Sequence, residues 1–328
     1  MKRILFDARW YGEHGVGRFA REVYKRLDDA TEFTGTLKPW HPLDCFYSAL
    51  KLAGERGDVF FSPGYNSPLS NHSFAFTIHD LAHIDNEENR HPLKTAYYEL
   101  IMKPACRRAL KVFTVSEYSR ARIAEWSGLD ESLIINVGNG VGSAFTPDGE
   151  RYRSDVPYVF CPCSRRPHKN EERTMRGFAA AYAGTPTKLL FLGLPTTHLL
   201  EVAHELGLAS RVQFLGPVDD TLLASVYRGA EQVVFASLYE GFGLPVIESM
   251  ACGAPVVTSS VCSLPEVAGG AALLVDPTHV EEIAEALSSL KHDGAERERL
   301  RELGLANARR FSWDLTGAKI RESLDEVR

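Results

Sequence analysis

The chain has 328 residues, 44% of them hydrophobic and 24% charged, with a formal net charge of −6. That length suits two domains that each bury a core of their own. The acidic balance supplies no basic field for nucleic acid, and no apolar run approaches the roughly 18 residues that a membrane-spanning helix needs.

The first apolar run, residues 4–6, is too short for a signal peptide and reads as a β-strand. Similar short runs follow at 59–62, 75–78, 112–115 and 134–137, with helical patterns at 18–27 and 119–126. This alternation is the mark of a parallel sheet built from βαβ units. Residues 142–157 are rich in Gly, Ser, Asp, Arg and Pro and read as a linker. A second series begins at 158–161 and continues through 188–192, 212–215, 232–236, 255–258 and 272–275. Helical patterns at 197–206, 221–229 and 280–290 lie between these runs. The expected fold class is therefore α/β, with two Rossmann-like doubly wound lobes at 1–150 and 151–313 and the active site in the cleft between them. A tail read as helical, 313–327, is expected to pack back, so that residues 314–328 join the first lobe. In such sheets ligands bind at the carboxyl ends of the strands. The six cysteines are scattered through apolar contexts and read as reduced core thiols. Cys161 and Cys163 have no matching Cys/His pair, which argues against zinc.

Residues 233–253 are the most informative segment. A buried strand runs into a turn containing Glu240, Gly241, Phe242, Gly243 and Leu244; Pro245 suits the first turn of a helix, and Gly253 closes that helix. A helix N-terminus offers amide N–H groups and the positive end of a dipole, which suits a diphosphate. The two glycines let a ligand approach the backbone closely. Glu240 on the loop and Glu248 one turn into the helix lie at different depths of one site. Each carboxylate is a bidentate acceptor for vicinal hydroxyls, which a sugar ring and a ribose both provide. The competing reading makes Glu240 a surface residue and Glu248 a solvated one. The packed Ser-Met-Ala-Cys-Gly stretch after Glu248 weighs against it.

The spacing from Glu240 to Glu248 resembles the E-x7-E motif of family four glycosyltransferases, which have the GT-B fold. The resemblance covers nearly the whole chain. It is most specific across 212–277, through Phe214-Leu215-Gly216, the Glu-Gly-Phe-Gly-Leu-Pro loop and Leu264-Pro265-Glu266-Val267-Ala268-Gly269. Arg310-Phe311-Ser312-Trp313 also fits. Mannosyltransferase-like and rhamnosyltransferase-like members are the most similar. The resemblance implies transfer of a hexose from a nucleotide-diphosphate sugar with retention of configuration, by front-face attack. Mannose from GDP-mannose is the implied donor, and a glycan or lipid-linked acceptor in polysaccharide biosynthesis the implied acceptor.

Within that resemblance Glu240 holds the transferred sugar, Glu248 the ribose, and Lys169 neutralises the donor diphosphate. Lys169 closes the turn Ser164-Arg165-Arg166-Pro167-His168-Lys169-Asn170, in which either Arg165 or Arg166 supplies a second phosphate cation. Cys163 stands where the family has glycine, and Arg166 where it has an acid. His79, at the end of Phe74–Ile78, resembles the histidine that faces the donor sugar; its alternative is a core histidine satisfied by backbone. The loop Gly12-Glu13-His14-Gly15-Val16-Gly17-Arg18 resembles the family's N-terminal glycine loop, with Gly15 and Gly17 on the donor or acceptor side. Phe19 and Ala20 break the G-x-G-x-x-G pattern, which argues against a dehydrogenase. Where the family continues Asn139-Gly140-Val141 with Asp, this chain has Gly142. No Asp-x-Asp pair occurs. The resemblance thus implies no required metal and no cofactor, with helix dipole and cations holding the diphosphate.

Residues 91–111 place Lys94, Lys103, Arg107, Arg108 and Lys111 beside aromatic and aliphatic residues. A core helix with a charged outer face is one reading and peripheral membrane contact the other. The expected location is cytoplasmic, at most peripheral on the inner membrane face. Two other functions fit the pattern less fully: a sugar-nucleotide-converting enzyme of epimerase type, and a noncatalytic sugar-nucleotide-binding subunit.

Overall fold

The structure, a computed structural model, describes residues 2–12, 14–86 and 91–326. Met1, Glu13 of the glycine loop, and Val327 and Arg328 of the tail lie outside the described residues. The chain divides into two compact units, Met1–Gly140 with Ser312–Arg328, and Val141–Phe311.

The first unit carries strands β1 (Ile4–Asp7), β2 (Ala30–Phe33), β3 (Val59–Ser62), β4 (Phe74–Thr77), β5 (Val112–Thr114) and β6 (Ile134–Asn136). They form one parallel sheet in the order β2-β1-β3-β4-β5-β6. The central strands are apolar and buried along their whole length, as a sheet covered on both faces requires. Strand β2 has no apolar run. It is an edge strand, exposed at Thr31 and Glu32, and only Phe33 is buried. Its helices are α1 (Gly15–Tyr24), α2 (Asp44–Leu52), α3 (Ala82–Asp85), α4 (Pro92–Tyr97), α5 (Lys103–Arg108) and α6 (Glu117–Ser127).

Helix α1 starts three residues before its apolar pattern because His14 caps it: the Nδ1 of His14 accepts from the Gly17 amide at 3.0 Å. Residues 91–111 are not one continuous α-helix. A π turn over Tyr98–Met102 separates α4 from α5. Pro104 is the cause, since it has no N–H to give the Leu100 carbonyl. Tyr98, Met102, Ala105 and Cys106 are buried in the core of the first unit, so this face of the segment packs inward.

The second unit carries β7 (Tyr158–Cys161), β8 (Lys188–Phe191), β9 (Val212–Phe214), β10 (Gln232–Phe235), β11 (Val256–Ser259) and β12 (Leu273–Val275). They too form a parallel sheet, ordered β12-β11-β10-β7-β8-β9. Around it lie α7 (Glu171–Ala181), α8 (Thr197–Glu205), α9 (Asp220–Gly229), α10 (Leu244–Ala251), α11 (Leu264–Ala268), α12 (Val280–His292) and α13 (Gly294–Ala308). Residues 141–150 go with this unit: the Arg228 guanidinium donates to the carbonyls of Thr146 at 3.1 Å and Glu150 at 2.8 Å. The last helix, α14 (Trp313–Asp325), returns to the first unit. There Arg26, just after α1, pairs with Asp314 at 2.5 Å, and the Lys2 amide donates to Asp325 at 3.2 Å.

Each sheet reverses its winding once. In the first, β1 lies between β2 and β3, so the loops after β1 and β3 flank a crevice. In the second, β7 lies beside β10 while β8 and β11 lead away on opposite sides. The loops after β7 and β10 therefore flank the crevice where open α/β sheets bind ligands.

Candidate functional site

The two loops at the second sheet's switch point bring together residues far apart in sequence. Lys169, after β7, donates from Nζ to Oε1 of Glu240, after β10, at 2.6 Å. Both side chains are mostly covered, and the ammonium also lies 5.2 Å from the centre of the Phe235 ring.

Three neighbours fix these loops. Asn170 adopts a left-handed backbone (φ +58), and its Nδ2 donates to the carbonyls of Ala236 at 2.9 Å and Pro277 at 2.7 Å. The Leu238 amide donates to the His168 carbonyl at 2.8 Å, tying one loop to the other. Ser263, just before α11, donates to the carbonyls of Glu240 at 2.9 Å and Phe242 at 3.0 Å. The Phe242 ring is buried edge-on against Phe311, with centroids 5.6 Å apart. Phe242 therefore lends backbone to the loop while its side chain anchors it.

Gly243 then caps α10 with φ +103, and among the described residues no side chain bonds the first amides of that helix. A Cβ at Gly243 would meet Leu264 Cδ2 at 2.5 Å, so the position needs glycine for both conformation and space. Pro245 sits in the first turn, as its missing N–H allows. Glu248 follows one turn later, buried, and accepts from the Tyr227 hydroxyl at 3.2 Å. The site thus presents a cation, a loop carboxylate, a helix N-terminus uncapped by side chains and a deeper carboxylate, in that order.

The two arginines of the β7 turn behave differently. Arg165 is turned into the unit. It pairs with Glu171, donates to the Leu194 carbonyl at 2.7 Å and to that of Leu192, and lies over the rings of Phe191 and Phe214. Burial lowers its pKa. Arg166 is exposed and makes no ion pair among the described residues. Cys163, at the glycine position, donates its thiol to the Lys169 carbonyl at 3.6 Å and so braces the same turn. The Cys161 and Cys163 sulfurs lie 3.3 Å apart. Among the described residues no group of three His, Cys, Asp or Glu side chains is placed to hold a metal.

In the first unit, His79 follows β4. Its Nε2 lies 2.8 Å from the Pro63 carbonyl, to which it donates. Burial drops its pKa to about 4, so the ring is neutral at pH 7. Phe19 of α1 stands edge-on to it, with centroids 4.9 Å apart. The backbone carbonyl of Pro63 satisfies Nε2, and in that tautomer Nδ1 is the ring's acceptor. Gly17 is buried under the glycine loop, where a Cβ would run into the Gly12 backbone, while Gly15 is exposed at the first position of α1.

Beside them lies a network that sequence patterning missed. Arg9 donates to both oxygens of Asp7 at 2.7 Å, to Asp44 at 2.6 Å and to Ser48 at 3.1 Å. Asn66 donates to Asp7 at 3.0 Å and Asp44 at 2.8 Å, and accepts from the Trp10 indole at 2.7 Å. Burial alone would lower the pKa of Arg9, but the carboxylates of Asp7 and Asp44 outweigh it and raise the value. Burial raises that of Asp44. The group fills the first sheet's switch point, between the ends of β1 and β3.

Residues 149–306 match the family described as glycosyl transferases group 1. The second unit is a group 1 glycosyltransferase domain. The O-antigen chain mannosyltransferase B of Escherichia coli is 28% identical over 274 residues, 78% of this chain and 71% of that protein. The serotype-specific mannosyltransferase WbdA of Escherichia coli is 28% identical over 223 residues, 63% of this chain but only 27% of WbdA. Among solved structures, Anabaena HepE in complex with UDP and glucose superposes with a TM-score of 0.80 at 17% identity, covering 99% of this chain and 100% of that one. The two units thus have the GT-B fold. The glycosyltransferase domain holds Lys169, Glu240, Glu248, Arg165 and Arg166, while His79, Gly15 and Gly17 belong to the first unit.

Proposed function

We propose that the protein is a retaining hexosyltransferase that moves mannose from GDP-mannose to a glycan or lipid-linked acceptor in polysaccharide biosynthesis. The observation that carries this reading is the Lys169–Glu240 pair at the switch point, above a helix N-terminus and the buried Glu248. The names of the mannosyltransferase relatives support the sugar. That the HepE neighbour was solved with UDP and glucose supports a nucleotide-sugar donor as a class.

In this reading Glu248 accepts from the ribose hydroxyls, oriented by Tyr227. The amides at Gly241, Gly243 and Leu244 face the diphosphate with the positive end of the α10 dipole. Lys169 shifts from Glu240 toward the phosphate, and Glu240 then accepts from hydroxyls of the sugar. Arg166 is the second phosphate cation, because Arg165 is occupied inside the fold. As the sugar–phosphate bond lengthens, negative charge grows on the leaving phosphate, where these donors are already aimed. No metal or cofactor takes part; the cations and the helix dipole do that work. The first unit supplies the acceptor side, with His79 a neutral ring and peripheral contact with the inner membrane face as part of its role.

The test is transfer from GDP-mannose to a mannose-terminated acceptor, with the product's anomeric configuration read by NMR. Glu240→Ala should cut turnover at least a hundredfold while GDP still binds. Near-normal turnover by that variant, or release of free converted sugar nucleotide without acceptor, would sink the assignment.

A further inference from the structure

Helix α2 of the first unit is amphipathic in the reverse sense. Half of its buried face is polar: Asp44 and Ser48 point inward onto Arg9, beside Cys45 and Leu52. Its outward face is apolar. Leu43 is 58% exposed, Phe46 56% and Leu50 80%, and Trp40 is 60% exposed. Phe46 and Leu50, four apart, share one side of α2, with Leu43 at its N-cap and Trp40 in the turn just before it. Leu69 extends it, for its amide bonds the Cys45 carbonyl at 3.0 Å and its side chain is also exposed. The helix cannot roll to hide this stripe. Rolling would break Asp44 and Ser48 from the Arg9 guanidinium and leave that charge buried and under-paired.

The stripe is flanked by cations. The Lys38 ammonium lies 5.6 Å from the centre of the Trp40 ring, while Lys51, in the last turn of α2, is held over Phe33 and donates to the Thr34 carbonyl. The Arg108 guanidinium bonds the Pro68 carbonyl beside Leu69 at 3.4 Å. Between residues 34 and 54 the only acid is Asp44, which is buried. In a chain of net charge −6 this face is locally basic.

We infer that the Trp40–Leu43–Phe46–Leu50 stripe docks the protein on an anionic lipid surface. The apolar side chains enter the headgroup–acyl boundary and Lys38 and Arg108 meet lipid phosphates. A tryptophan at the end of such a stripe suits the interface. A second copy fits less well, because an isologous contact would bring two basic faces together. This names the surface for the membrane contact in the reading above, and it moves that contact from residues 91–111 to α2. In 91–111 the exposed large hydrophobic residues are Leu93 and Leu100, seven apart, while Tyr98, Met102, Ala105 and Cys106 are buried.

The experiment is co-sedimentation of the full chain with vesicles of phosphatidylcholine, with and without phosphatidylglycerol, at low salt. The wild type should bind the anionic vesicles and shift its tryptophan emission to the blue. Leu43→Asn/Phe46→Ser/Leu50→Gln should bind roughly tenfold or more weakly, and Lys38→Glu/Arg108→Glu should lose the preference for anionic lipid. Leu93→Ser/Leu100→Ser should bind as the wild type does. Thermal melts check folding, and GDP affinity, measured on every variant, keeps failure of docking separate from failure of the donor site. Wild-type binding by the triple variant, or loss of binding only in the Leu93/Leu100 variant, would overturn the inference. So would a wild type that ignores vesicles and forms dimers that the triple variant disperses.

Discussion

The pair formed by Lys169 and Glu240 is the contact most open to measurement. In Lys169→Met the Glu240 carboxylate loses a partner 2.6 Å away. At an effective dielectric near 20, the bare Coulomb attraction at that distance is roughly 6 kcal/mol. Desolvation and side-chain ordering remove most of it. With side-chain exposures of 16% and 13%, the pair lies between an exposed ion pair and a buried one. A net coupling of about 1–3 kcal/mol follows. The assay is a double-mutant cycle of Lys169→Met, Glu240→Gln and the double variant, by urea unfolding, without nucleotide and with saturating GDP. The coupling should appear without nucleotide and shrink with it, as Lys169 turns to phosphate. Losing one charge-assisted phosphate contact, worth about 1.5–3 kcal/mol, should weaken GDP binding by Lys169→Met roughly tenfold to a hundredfold. GDP affinity within twofold of wild type, together with a coupling that nucleotide does not change, would refute this reasoning.

Other expectations rest on the same geometry. Gly243→Ala forces a Cβ into Leu264 at a positive φ and should cost about 2 kcal/mol or more, read as a lowered urea midpoint with weaker GDP binding. Arg9→Met strands the buried Asp7 and Asp44 and should destabilise by about 3–5 kcal/mol; adding Asp44→Asn should recover part of the loss. His79 titrates near 4 when folded against an ordinary 6.5 when unfolded, so the unfolded state binds more protons between those values. Stability from this residue is full above pH 6.5 and falls by roughly 3 kcal/mol as the pH drops to 4. In His79→Phe the urea midpoint should lose that part of its pH slope, and an unchanged slope would mean the ring is not held neutral.

Much of this was legible in the sequence because parallel strands buried on both faces are short unbroken apolar runs, as at β3 and β7. Strand β2 escaped because, at the edge of the sheet, it buries only Phe33, and its Thr and Glu carry no apolar pattern. The donor loop could be read because Gly243, Pro245 and Gly253 mark a turn, a helix start and a helix stop. What holds that loop could not be read. Ser263 and Asn170 act through backbone carbonyls of distant segments, and Tyr227 reaches Glu248 across 21 positions. The choice between Arg165 and Arg166 depended on Glu171 and two phenylalanine rings, which only the folded sheet assembles. The Arg9 network stayed hidden for the opposite reason. Asp7, Arg9 and Asp44 look like ordinary surface charges one at a time, and Asp44 sits on a helix whose apolar residues suggest the wrong buried face.

The donor site is the centre of the account, and calorimetric titration with GDP, UDP, dTDP and ADP, with and without EDTA, tests it most directly. GDP should bind, EDTA should change nothing, and Glu248→Gln should bind at least tenfold more weakly, as the loss of a charged acceptor for ribose implies. Absence of binding by all four nucleotides, or undiminished GDP affinity in Glu248→Gln, would contradict it.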